Sequence, residues 1–286
     1  MSSTALPSVV VPNPFEAHLF AADNDITRLR EIYEAHRTNR NAQQKSILLA
    51  KDFSGISVDS ILSRLEAGEP DFVDPRNSFV LWARPSPSVK SLAHQIQERL
   101  VSTAPHLWLM PQEDLHTTVI EVAHSLPAEN IDAVVEILGS DSARSLVYLA
   151  PEGRATLVQP QISIDTSAVA LSFLPASSES GFSYHHLRRD AWNRLRDSGV
   201  QVESRYTVPS AHITIARFIT QNDHATEEGV ANWVKAVEDV NEWLRSEWWN
   251  REDLEWVVGK DHGLILRKGR VWYGGGETVA VGGCLL

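Results

Sequence analysis

Cysteine is nearly missing from this chain of 286 residues: Cys284 is the only one. A single thiol closes no intrachain disulfide and builds no Cys-rich zinc site, which excludes a disulfide-stapled scaffold and a zinc ribbon and fits a reducing compartment. It also stands third from the C-terminus, where prenylation requires the fourth position. No apolar run approaches the roughly 18 residues of a membrane-spanning helix. The opening MSSTALPSVVVPNPF lacks a basic segment followed by a signal-length apolar core. An intracellular location, cytoplasmic or nuclear, with no membrane partner, is therefore expected. Positive charge is scarce as well, 26 basic against 37 acidic side chains for a net −11, so long nucleic acids are not expected as partners while small anions remain suitable. The G-x-S-x-G elbow, the G-x-x-x-x-G-K-[ST] loop, a strand-borne G-x-G-x-x-G, H-E-x-x-H and paired C-x-x-C are all missing, which removes serine hydrolases, common nucleotide folds and the standard zinc enzymes.

What is present is core material. Forty-three per cent of the residues are hydrophobic, nine are Trp, and only 22% are charged, the composition of a chain that buries a sizeable interior. Residues 1–76 read as an N-terminal, partly helical extension: a loose Ser/Pro-rich start, a charged helix over Asp23 to Arg40, and a short helix around Ile56 to Leu65. From Asn77 strands and helices alternate. A strand at Ser78–Ala83 is followed by a helix with Ser88 as N-cap and Val89, Leu92, Ile96 and Leu100 on one stripe. After Pro111 comes a strand over Leu115–Val122, then a helix ending at Gly139. Two strands are expected near Thr156–Ile164 and Ala168–Leu174. The order then recurs, with a helix on Tyr184, Leu187, Ala191 and Leu195, a loop with Pro209, and a strand over Ala211–Phe218. A long helix from Val230 to Leu244 and strands near Leu254–Val258, Gly263–Leu266 and Val271–Tyr273 close the chain.

H-x-T occurs four times, so the tripeptide alone decides nothing. His36-Arg-Thr38 falls in a polar helix and His224-Ala-Thr226 in a loop. The other two, His116-Thr-Thr118-Val119 and His212-Ile-Thr214-Ile215, each sit on an expected strand with a proline a few residues upstream. With period two, His and the Thr two residues on share one face, offering an imidazole and a hydroxyl to a cleft. A pair of imidazoles supplies one general base and one general acid for phosphoryl displacement, and threonine hydroxyls donate to nonbridging phosphate oxygens, so the chemistry calls for no metal and no other cofactor. The same residues also suit ordinary half-buried sheet positions. A shared metal site at His116 and His124 is disfavoured, because eight residues of straight strand span roughly 26 Å.

At these two tetrads the chain resembles the two-histidine (2H) phosphoesterase superfamily, over about residues 77–286. The runs Asn13-Pro-Phe-Glu16, His36 to Gln44 and Asp52 to Ser57 are similar to fungal proteins described as RNA ligase/cyclic nucleotide phosphodiesterase-like. The resemblance implies an α/β fold of the α+β type: two pseudo-symmetric lobes, antiparallel sheets flanking a central cleft, helices on the outer faces. It makes His116 and His212 catalytic and Thr118 and Thr214 phosphate-binding. Val80-Leu-Trp-Ala-Arg-Pro85 is similar to a strand of plant members, which makes Trp82 a candidate substrate contact. Tyr206, on the loop before the second tetrad, is a second candidate, by stacking on a base. Arg217 matches an Arg of bacterial members, yet strict alternation points it away from the face of His212. The extension and the segment 220–229 are expected to border the cleft. The implied activity is hydrolysis of a nucleoside or RNA-terminal 2′,3′-cyclic phosphate, with a small nucleotide or RNA end as partner. An RNA 3′-end exonuclease, a 2′-5′ phosphodiesterase and a non-catalytic module that binds a nucleotide or an RNA end are the alternatives.

Overall fold

The structure is a computed structural model that describes residues 12–152, 154–176, 181–204 and 206–283; most of the expected loose N-terminus, and Cys284, lie outside the described residues. Three helices come first: α1 (Glu16–Ala21), α2 (Ile26–Leu48) and α3 (Ser60–Glu66). Next come β1 (Asn77–Ala83), α4 (Pro87–Val101), β2 (Leu107–Leu109), β3 (Thr117–Leu126), α5 (Ala128–Val147), α6 (Leu149–Glu152), β4 (Thr156–Ile164) and β5 (Ala168–Pro175). The chain continues through α7 (Tyr184–Asp197), β6 (Ala211–Phe218), α8 (Glu227–Glu247), β7 (Trp256–Val257), β8 (Leu264–Gly269) and β9 (Glu277–Val281).

The strands form one antiparallel sheet in the order β7-β4-β5-β6-β3-β1-β8-β9, with β2 attached to β6, and it curls into a half-barrel. Where two sheets were expected, the described residues form a single one. The seam is narrow: β3 and β6 share the single registered pair Thr117↔Ile213, whereas β5 and β6 pair over six positions and β1 and β3 over six. Alternation sets the two faces of the sheet. On β1, Phe79, Leu81 and Ala83 enter the main core, while Val80 and Trp82 join Val271 in a small separate cluster beneath a cleft.

Local chemistry explains most element limits. The α4 N-cap is Ser86 rather than Ser88: its hydroxyl accepts from the Val89 N–H, and Pro87 takes the first helical position, where its missing donor costs nothing. A Ser183/His186 capping box opens α7, a type of cap worth about 1 kcal/mol. Gly139 does interrupt its helix, at φ +68°, but the chain re-enters helix at once and α5 runs on to Val147. In α8 the expected stripe of Val230, Trp233, Val234, Val237, Val240 and Leu244 is buried. Val271–Tyr273 is not a strand. It lies in the connection from β8 to the final strand, β9, because the glycines after it let the chain reverse there.

The N-terminal helices share the main core, to which Phe15, Leu19, Leu29, Tyr33, Leu48 and Ile56 contribute. His185 on α7 fixes them. Its Nε2–H donates to the Phe15 carbonyl at 2.9 Å, so its Nδ1 is left to accept from the Tyr33 hydroxyl at 2.8 Å. On α2, Asn41 donates to the Ile162 carbonyl and Arg37 to that of Gln159, which lays the helix across β4.

Candidate active site

The register at the seam organises the site. Thr117 opposes Ile213, and both side chains are buried on the core side. One step along the antiparallel strands in either direction, His116 comes opposite Thr214 and Thr118 opposite His212, since 116 + 214 and 118 + 212 equal 117 + 213. The two tetrads therefore meet head to tail about a local twofold. All four side chains line one cleft, with about 750 Å³ of empty space open to solvent.

Each imidazole is held in the same way, through Nδ1 and the residue two positions upstream. His116 Nδ1–H donates to the Asp114 carbonyl at 2.7 Å, and His212 Nδ1 bonds the Ser210 hydroxyl at 3.0 Å. That leaves each Nε2 for the cleft. Trp82 stacks on His116 with ring centroids 3.7 Å apart and planes 18° from parallel. Being only 1% exposed, Trp82 supports the imidazole from below more than it offers a free face. Tyr206 is 39% exposed, borders the cleft, and has its ring 6.2 Å from that of His212.

The strands carry a feature that period-two alternation misses. Immediately after each tetrad Thr the register slips by one residue. Trp82 pairs with Thr118 but Leu81 with Ile120, and Ala170 pairs with Thr214 but Val169 with Ala216. The extra residues are Val119 and Ile215, the apolar fourth positions of the tetrads, both fully buried. Each is a β-bulge, which reverses the facing of the side chains that come next, until on β3 a second shift at Val122 reverses it again beyond Glu121. Arg217 is therefore returned to the cleft, against the expectation from strict alternation, and Glu121 is its counterpart on β3. Arg217 contacts Asp59 at 3.5 Å, its guanidinium lies 5.7 Å from the Trp272 ring, and its Nε is buried without a partner.

Arginines gather around the floor despite the net charge of the chain. Arg188, 2% exposed, donates to the carbonyls of Val119, Tyr206 and Val208, clamping the loop before the second tetrad onto β3. Arg84 donates to the Leu115 carbonyl and lies over Trp82. Burial, reinforced by the charges of Arg84, His212 and Arg217 and opposed by the bond to Asp114, pushes His116 down to about 3. Burial, then the Arg188 charge, pushes His212 down to about 4. Both imidazoles therefore rest neutral in the empty cleft, and a bound phosphate anion would draw the pKa of either one back up, to where it can hold a proton.

The structure thus brings together His116, His212, Thr118, Thr214, Trp82 and Tyr206. Sequence reasoning missed Arg188, Glu121, Trp272 and the Nδ1 partners. Arg188 could have been noticed as a charge four residues after Tyr184, on the buried stripe of its helix. Segment 220–229, expected at the cleft, lies away from it: His224 is buried against Phe218 and Trp233, and Gln221 bonds the backbone of Ile56. Among the described residues no His/Cys/Asp/Glu group is arranged to hold a metal ion, and no helix is long and apolar enough to cross a membrane.

No protein-family model matches the chain, and no curated protein matches it. Among solved structures it is similar to a conserved protein of unknown function from Agrobacterium tumefaciens, with 14% identity, a TM-score of 0.48, and coverage of 74% of this chain and 88% of that one.

Proposed function

We propose that the chain is a phosphodiesterase that opens a cyclic phosphodiester on ribose, a nucleoside or RNA-terminal 2′,3′-cyclic phosphate, by acid–base catalysis between His116 and His212. The observation that carries this reading is the local twofold about Thr117 and Ile213, which presents two imidazoles and two hydroxyls to one cleft. In this reading the halves of the sheet on either side of the seam act as two lobes, each bringing one histidine. One neutral imidazole takes a proton from water as the water oxygen bonds to phosphorus. The bond from phosphorus to one ribose oxygen breaks, and the other histidine, in its protonated form, gives that oxygen its proton. Thr118, Thr214 and Arg217 donate to the nonbridging oxygens as charge builds on them. Trp82 positions His116 and Tyr206 borders the sugar or base.

The bonds to Asp114 and Ser210 hold both rings with Nε2 toward the cleft, so little reorientation precedes proton transfer. The test is turnover of nucleoside 2′,3′-cyclic phosphates by wild type, His116→Ala and His212→Ala, with and without a chelator. Turnover that resists chelation and collapses in both variants supports the reading. Undiminished activity in both variants overturns it, and binding without turnover by wild type favours a nucleotide-binding module.

A further inference from the structure

The cleft does not end at the histidines. A second groove continues from it, sharing Tyr206, Ser210, His212, Thr214, Arg217 and Trp272, and its far wall is α2 of the N-terminal region, through His36, Arg37 and Arg40. From this continuity, and resting on the phosphodiesterase reading, we propose that α2 builds a second anion subsite, which takes the phosphate on the 5′ side of the nucleotide whose cyclic ester is opened.

Four observations support it. Arg37 lines the groove, is 4% exposed, and is pinned by Glu34 and the Gln159 carbonyl. A guanidinium held this firmly adds a fixed positive charge to the groove wall. Among the described residues Arg40 is held by a 2.6 Å pair with Asp165, both side chains partly exposed, and such a pair is weak enough to be exchanged for a phosphate. Arg40 is also near enough for its charge to act on the His212 ring, which places the second subsite close to the first. The helix is locked against β4 through Asn41 and Arg37, so the wall is preformed.

The experiment compares kcat/KM for cytidine 2′,3′-cyclic phosphate, the same compound bearing a 5′-phosphate, and a dinucleotide ending in a 2′,3′-cyclic phosphate. Wild type is expected to prefer both 5′-phosphorylated forms by about tenfold, the scale of one charge-assisted contact. Arg40→Ala should bring the ratio close to one, and Asp165→Asn, which frees Arg40, should raise it. A further gain for the dinucleotide over the 5′-phosphorylated monomer extends the subsite to an RNA end; equal values confine it to the phosphate. A wild-type ratio near one, or a ratio untouched by Arg40→Ala, overturns the inference and leaves the hydrolase reading standing. Absence of turnover on all three compounds sinks both.

Discussion

The two histidine half-sites repeat one plan in different materials. His116 is bonded through Nδ1 to a backbone carbonyl and backed by a stacked Trp, so its ring is fixed and its Nδ1 carries the proton in the neutral form. His212 bonds a hydroxyl, which donates or accepts as required, and it lies beside the half-exposed Tyr206. A carbonyl dictates a tautomer and a hydroxyl tolerates either. The two halves are therefore alike in geometry and unlike in freedom: the first is the rigid partner, the second the adaptable one.

The widest test of their likeness is removal. His116→Ala and His212→Ala should each lower kcat by about 10³-fold, the range of general acid–base catalysis. Steady-state kinetics showing loss in only one variant would break the symmetry. Thr118→Val and Thr214→Val should come next, each by about 10²-fold, as for loss of one oxyanion donor; a difference between them would show which hydroxyl meets the developing charge. The contrast in freedom is tested by Trp82→Phe and Ser210→Ala. Trp82→Phe should lower kcat about tenfold through misplacement of His116, with an added loss of stability from the cavity, read by denaturant unfolding. Ser210→Ala should lower kcat by only a few-fold, with about 1 kcal/mol lost in stability.

The two halves also differ in their response to pH. His116 and His212 titrate near 3 and 4 in the fold, whereas an unfolded histidine titrates near 6.5. Their contribution to stability is therefore complete above pH 6.5 and is lost as the pH falls through 4 and 3, because the unfolded chain binds the protons first. Thermal unfolding tracked from pH 7 to pH 4 should show a decline, reduced in His116→Ala. Substrate phosphate raises the pKa of the acid histidine, so the profile of kcat should lie at higher pH than that of kcat/KM. Coincident profiles would mean that the bound anion does not touch either ring.

Much of the site was legible because it is local. Within each tetrad the His and the Thr share a strand and a period, and that suffices to place His116 with Thr118 and His212 with Thr214. Their meeting was not legible, because the pairing of Thr117 with Ile213 joins positions 96 residues apart. Arg217 was misplaced for a different reason: alternation assumes an unbroken ladder, and Ile215 breaks it. The apolar fourth position did carry that information, in a form that reads equally as an ordinary buried strand residue. Trp272 was hidden by its neighbours, since Val271-Trp-Tyr273 has strand composition and only the glycines after it reveal a turn. Gly274 is where that turn matters most: its φ of +94° and the Asp114 side chain against it leave no room for a Cβ, so the turn and the residue that holds His116 are packed as one piece.

The narrow seam between β3 and β6 has a mechanical meaning. Ladder hydrogen bonds are what stiffen a sheet against bending across its strands, and here one registered pair stands between two well-paired blocks. The ladder of the half-barrel is thus thinnest along the line that separates His116 from His212, where the Arg188 clamp rather than strand pairing ties the two sides. Backbone amides beside Thr117 and Ile213 should exchange with solvent faster than those along β1 or β5, and slow when a phosphate ester bridges the two sides.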